Sequence, residues 1–323
     1  MKPSAFGYVR PGTLDEAVGI LADGDVLLAG GQSLIPDLNE RRRFARRLVD
    51  LNGVTGLDTI EFRSAVNESA GNESAGNQPA ATDRVRLGAL VRHRDLAGRD
   101  DVRAAVPVLA EAARHVGHEA IRTRGTLTGS IANADPAAEL PGVCVLLGAV
   151  ARVRSAAGER TVPVADLLRP GGLGAQEVIT ATSVPTLLPG EGWGFRELSR
   201  PGAYAFPLVT VSATLRCAVG GAVTGLRAAV TGAAPVPYTL PDSTAAGLLG
   251  GGPGWTDAAA DDWATAAAAE LAAIAEPVTD HYASAAYRRR MVRHLARQAL
   301  ADALRRAGPG APATGTSPPG GAA

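Results

Sequence analysis

Residues 121–141 read IRTRGTLTGSIANADPAAELP. The stretch opens with threonines and glycines that are too small and flexible for a packed helix interior. At Ala134-Asp135-Pro136 it turns into an apolar run. Asp135 suits an N-cap and Pro136 a first helical turn, which predicts a loop feeding a helix N-terminus near residue 135. Exposed amides and hydroxyls of Thr126, Thr128, Gly129 and Ser130 would form a polar cradle matched to phosphate oxygens. The plainer reading is a glycine-containing turn with an ordinary cap.

A second glycine loop lies far upstream. Val26-Leu27-Leu28-Ala29 reads as a short buried strand running into Gly30-Gly31-Gln32-Ser33-Leu34-Ile35-Pro36. Paired glycines after a strand mark a place where backbone comes close to something else. The stretch is not a dinucleotide fingerprint of the GxGxxG kind, and Pro36 should interrupt any following helix.

The rest of the chain narrows the options. A length of 323 residues suggests two or three domains. Formal net charge is zero, which disfavours a general polyanion binder. The two cysteines, Cys144 and Cys217, cannot supply an iron–sulfur or zinc ligand set, which needs about four ligands. The N-terminus lacks a signal-peptide core and no run of about 18 apolar residues occurs, so a cytoplasmic location is expected. Residues 64–81 hold a tandem repeat, NESAG at 67–71 and again at 72–76, expected to be a disordered insertion. The Pro/Gly/Ala-rich tail at 308–323 is expected to be disordered too.

Periodicity predicts helices over 14–22, 90–96, 106–116, 138–147, 258–275 and 284–307, the first opened by a Thr13/Glu16 capping box. Strands are predicted at 26–29, 48–51, 150–155, 160–164, 178–184, 194–198, 208–219 and 223–231. Consecutive strands followed by helices indicate an α+β architecture. Arginines at 41–43, 46 and 47 and along 284–307 read as solvated faces, with a phosphate or partner contact as the other possibility. The five histidines are scattered, and surface or helix-capping roles are expected for them. His115 and His118, just upstream of the second loop, also admit a role beside a cofactor.

Taken together, AGGQSLIP at 29–36 and TLTGSIANADPAAELP at 126–141 resemble the two signatures of the flavoprotein subunit of molybdenum hydroxylases. That family includes the medium subunit of aerobic carbon monoxide dehydrogenase and the FAD part of xanthine dehydrogenase. FGYVRPGTLDEA at 6–17, VRLGALVRHRDL at 85–96 and ASAAYRRRMVRHLARQAL at 283–300 extend the resemblance over nearly the whole chain.

The resemblance implies a PCMH-type FAD-binding domain of two α+β subdomains, 1–56 and 57–187. A C-terminal α+β domain of small antiparallel sheet and helices would follow at 188–307. It places FAD against Leu27, Leu28, Ala29, Gly30, Gly31, Gln32, Ser33 and Leu34, and against Thr126, Leu127, Thr128, Gly129 and Ser130. Asp135 and Glu139 fall near an acidic cofactor contact, while Ile179 and Arg196 fall where relatives line the flavin ring. Tyr204 lies near an aromatic or acidic flavin-face position. Relatives usually carry a second glycine where this chain has Thr128; a positive φ there would strain a β-branched residue.

The implied partners are a molybdopterin-binding large subunit and a 2Fe-2S small subunit, with electrons passing through FAD to NAD⁺, a quinone or oxygen. Two other readings stay open: a stand-alone PCMH-type flavin oxidoreductase, and a scaffold that has lost its flavin. The chain shows no nucleophile–base pair, which suits a protein whose cofactor carries the chemistry.

Overall fold

The structure, a computed structural model, describes residues 2–64, 83–199, 206–250 and 256–307. The repeat at 67–76, the tail from 308 and Tyr204 lie outside the described residues.

The chain begins with β1 (Gly7–Val9), α1 (Leu14–Ile20), β2 (Asp25–Leu28), α2 (Leu34–Asn39) and β3 (Arg47–Asp50). The strands form a parallel sheet in the order β1-β3-β2. Thr13 Oγ1 accepts the Glu16 amide at the start of α1, while Glu16 reaches back to the amide of Gly12. The sequence treats Pro36 as a helix stop, yet it sits at the third position of α2. A first-turn residue has no intrahelical acceptor for its N–H, so proline loses nothing there. The neighbouring arginines answer to local carboxylates. Arg46 and Arg47 hold the buried Asp25 at 2.8 and 2.6 Å, and Arg42 pairs with Asp37 and Glu40.

An antiparallel sheet follows, ordered β4-β5-β8-β6-β7. It contains β4 (Ile60–Arg63), β5 (Arg84–Gly88), β6 (Val150–Ser155), β7 (Gly158–Pro163) and β8 (Val178–Pro185). Between β5 and β6 run α3 (His93–Gly98), α4 (Asp100–Ala105), α5 (Pro107–His115), α6 (Glu119–Arg122), α7 (Leu127–Asn133) and α8 (Glu139–Leu147); α9 (Val164–Leu167) follows β7. Leu87, Leu109, Leu127, Ile131, Leu140 and Leu146 form the centre of one apolar core between this sheet and its helices.

A second antiparallel sheet is ordered β12-β11-β10-β9. Its strands are β9 (Gly192–Leu198), β10 (Val209–Cys217), β11 (Val223–Thr231) and β12 (Tyr238–Thr239), followed by α10 (Asp242–Gly247), α11 (Asp257–Ala273) and α12 (Ala285–Arg306). Alanines 264, 267, 268, 296, 299 and 303 meet at the α11–α12 seam with Leu271 and Leu300. Side chains this small let the helices approach closely, so the seam packs without bulk. A Cβ on Gly192 or Gly194 would enter the carbonyls of Ala303 and Ala299, so α12 lies flush on β9. Phe195 and Ala229, from the other face of this sheet, join the core around α5 and α8.

The arginine-rich side of α12 is not simply wet. Arg288 is buried and donates to the carbonyls of Leu208 and Gly232 and to Asp280, while Arg306 lies 4.0 Å over the Trp193 ring. Among the described residues no helix is long and apolar enough to cross a membrane.

Candidate functional site

The first glycine loop leaves β2 and enters α2. Gly31 has φ +73°, the left-handed region where glycine is at ease. The backbone amides of Gly30, Gly31, Gln32 and Ser33 make no hydrogen bond to other described residues, and the Ser33 side chain does not cap α2. The loop's carbonyls are used: Ile35 and Asp37 donate to Gly31 and Ser33, and Gln32 Nε2 donates to Gly30. Leu28 and Leu34 belong to a small core under the loop, with Leu27 and Ala29 against another. The result is a half-buried nest of unpaired donors, the arrangement that receives anions.

The second stretch differs from its sequence reading. Thr126 through Ser130 are not an open loop; they form the N-terminus of α7. Thr126 is the N-cap, its Oγ1 accepting the Gly129 amide at 3.1 Å. Thr128 is helical and almost fully buried, and its hydroxyl donates to the Ala89 carbonyl at 2.5 Å. The strain expected at Thr128 is therefore absent. Asp135 does not cap a helix either: it accepts the Ala137 amide in a turn after the left-handed Ala134, and the helix starts only at Glu139. The apolar run settles into a helix once that turn has been made.

The two stretches meet. A Cβ on Gly30 would fall about 2.8 Å from Gly125 Cα and closer still to the Arg124 carbonyl oxygen. No side chain fits there, so loop 29–34 rests directly on the residues that lead into α7. His93, expected in a surface or helix-capping role, opens α3 and is buried behind the junction. Its Nε2 lies 3.3 Å from Ser130 Oγ and its own amide donates to the Gly125 carbonyl. Burial pushes its imidazole down to about 4, so it is neutral at ordinary pH.

Asp135 and Glu139 lie past the far end of α7, a seven-residue helix spanning about 10 Å. Glu139 is buried, and burial together with the charge of Glu197 lifts its carboxyl to about 7. Beside it His115 is clamped between Glu111 and Glu197, each at 3.5 Å, and its ring meets that of Phe195 at a tilt, with centroids 5.0 Å apart. Burial lowers the imidazole's proton affinity, but hydrogen bonds and charge from the two glutamates outweigh it and raise His115 to about 9. Nothing in the spacing of these residues announced the cluster, because it joins α5, α8 and β9.

Ile179 is buried in β8 within the same core as Leu127 and Ile131. Arg196 sits on β9. Strand alternation turns Phe195 and Glu197 towards α5, and Arg196 towards α12, where it pairs with Asp302 at 2.6 Å. That ion pair borders a groove of about 350 Å³ which also includes Asp261, Arg297 and Arg305 and shares no residue with either glycine loop.

A glycine turn with unpaired amides thus abuts a helix N-terminus, on a mixed fold with a separate helix-backed antiparallel sheet, an arrangement suited to a phosphate-bearing ligand. Comparison makes the class specific. Residues 4–187 match the family described as the FAD-binding domain in molybdopterin dehydrogenase, and residues 193–303 match the CO dehydrogenase flavoprotein C-terminal domain. The chain is 34% identical to the 6-hydroxypseudooxynicotine dehydrogenase complex subunit alpha of Paenarthrobacter nicotinovorans, over 96% of this chain and 98% of that one. It is 31% identical to the nicotine 6-hydroxylase medium subunit of the same organism, over 94% and 99%. The carbon monoxide dehydrogenase structure from Hydrogenophaga pseudoflava superposes with a TM-score of 0.81 at 29% identity, over 95% of this chain and all of that one. The chain belongs to the FAD-binding medium-subunit family of molybdenum hydroxylases, and is an oxidoreductase flavoprotein subunit.

Proposed function

We propose that the nest at 29–34 and the N-terminus of α7 at 126–130 hold the FAD diphosphate between them. The observation that carries this reading is the contact of Gly30 with Arg124 and Gly125, which sets the unpaired amides of residues 30–33 beside α7. Amides can replace water around a diphosphate without a side chain occupying the space it needs. Buried Glu139 and Ile179 would contact the remainder of the cofactor, and Asp135 would hold the turn that aims Glu139 inward.

Bound FAD supplies the two-electron to one-electron exchange that this chain's own side chains cannot perform. The residues bind and orient it, and neutral His93 supports the second stretch from behind. The subdomain limits 1–56, 57–187 and 188–307 are proposed on the same footing.

The chain would serve in a complex with a molybdopterin-binding large subunit and a 2Fe-2S small subunit, passing electrons to NAD⁺, a quinone or oxygen. Two cysteines cannot ligate a 2Fe-2S cluster, which takes four. The names of the relatives, a complex subunit and a medium subunit, support the same arrangement. Affinity purification of the tagged chain from its own host tests it. The expected eluate contains two further polypeptides with iron, molybdenum and FAD. A yellow protein that emerges alone and oxidises an organic substrate unaided would favour the stand-alone reading instead.

A further inference from the structure

We propose that Arg92 and Asn52 are positioning residues that brace the two halves of the flavin site against each other and aim the Gly30 amide into it; this rests on the diphosphate reading above. Arg92 Nη1 donates to the Arg124 carbonyl at 2.5 Å, and Nη2 donates to Asn52 Oδ1 at 2.6 Å. Asn52 Nδ2 in turn donates to the Ala29 carbonyl at 2.8 Å. A continuous chain of hydrogen bonds therefore joins Ala29, one residue before the nest, to Arg124, two residues before the α7 cap.

The brace acts through peptide geometry. In a planar trans peptide the C=O of one residue and the N–H of the next point in opposite directions. Holding the Ala29 carbonyl on Asn52 thus turns the Gly30 N–H away from the brace, and that N–H is one of the unpaired donors. Holding the Arg124 carbonyl fixes the surface on which Gly30 rests.

Both brace residues are themselves fixed. Asn52 donates its amide and side chain to Asp50 Oδ1, Asp50 accepts Tyr8 Oη at 2.6 Å, and Arg10 donates to the Asn52 carbonyl. Arg92 pairs through its backbone with Thr126 in an isolated bridge. Its guanidinium has no carboxylate within ion-pair distance among the described residues, and neither has that of neighbouring Arg124. The charges of Asp95 and Asp58 act on Arg92 from farther off, yet neither cation is locked in an ion pair, and positive charge at the junction suits a site that takes a dianion.

The test uses the full chain, stripped of FAD and titrated with it, alongside thermal unfolding of the flavin-free form. Arg92→Ala and Asn52→Ala should each weaken FAD binding by on the order of tenfold, with altered visible circular dichroism of the bound flavin. The double variant should be no weaker than the worse single one, because both cut one chain. Arg92→Lys should recover part of the loss. Unfolding of the flavin-free protein should move by no more than a few degrees. Wild-type affinity in both single variants, or losses that simply follow reduced stability, would overturn the brace. Gly30→Val separates the two ideas. If it also keeps full FAD, the diphosphate reading fails; if it loses FAD while Arg92→Ala does not, only the brace fails.

Discussion

The two glycine-bearing stretches look alike on paper and are built differently. Residues 29–34 form an irregular nest with a left-handed glycine, and the amides of residues 30–33 bond to no other described residue. Residues 126–130 are a helix start that caps itself through Thr126. The first stretch supplies unpaired donors and tolerates no side chain at Gly30; the second supplies a rigid wall whose hydroxyls and one amide are already engaged. Small polar residues in a row therefore mark close packing in both places, but ligand-ready backbone chiefly in one.

Single methyl groups give the sharpest way to break this contrast. In Gly30→Ala the new Cβ meets backbone of Arg124 and Gly125, which cannot rotate away. The loops must part, at a cost on the order of 3 kcal/mol, and FAD affinity should fall by about a hundredfold. In Gly129→Ala the Cβ meets only the Thr126 hydroxyl. Losing that cap costs about 1 kcal/mol, and alanine's better helix propensity returns a similar amount. FAD titration of the two proteins should show the first nearly colourless and the second close to wild type. Equal losses would mean that both glycines face the cofactor alike.

Thr128→Gly is expected to have the next largest effect, and its sign discriminates. Read from the sequence alone, the change restores the usual glycine and should relieve strain. In the structure Thr128 is helical, and its removal orphans the Ala89 carbonyl, whose own amide is bonded to Thr180. A buried acceptor left bare costs about 1–3 kcal/mol, and glycine in a helix adds some tenths more. The melting temperature should drop by several degrees. A rise would restore the strained-loop reading.

These cases show what the sequence could and could not carry. The hairpin strand Val150–Ser155, the strand Val223–Thr231 and the long helices α11 and α12 were legible because alternation or helical spacing persists over many residues. Helix α7 was not, because Leu127–Asn133 holds threonine, glycine, serine and asparagine, and its stability comes from contacts such as Thr128 to Ala89, distant in sequence. Helix α2 was hidden by Pro36, a residue harmless in a first turn. The glycines pointed to two stretches of backbone that the fold does bring together, but the side chains behind them, Asn52, Arg92 and His93, are identified only by the folded contacts. For Arg196 strand alternation sets the side chain's direction: one step along a strand reverses the face, and its face carries Asp302.

The smallest effect sharpens the comparison at the far end of α7, where the chain presents carboxylates rather than amides. His115 sits between Glu111 and Glu197, and its proton affinity rises from the ordinary 6.5 to about 9. A base with a raised folded-state pKa stabilises fully below its unfolded value and loses that contribution as pH climbs from 6.5 through 9. Over a third of its side chain is exposed, so solvent screening holds the effect to about 1 kcal/mol. Glu139 works in another window. Its carboxyl is raised from 4.5 to about 7, so ionising it costs stability as pH climbs from 4.5 through 7. Comparing wild type with His115→Gln between pH 7 and 9 therefore reads the clamp together with the charge that His115 places on Glu139. The stability difference should shrink steadily over that interval, and a difference that stays flat would show that the imidazole is not held as a cation between the two glutamates.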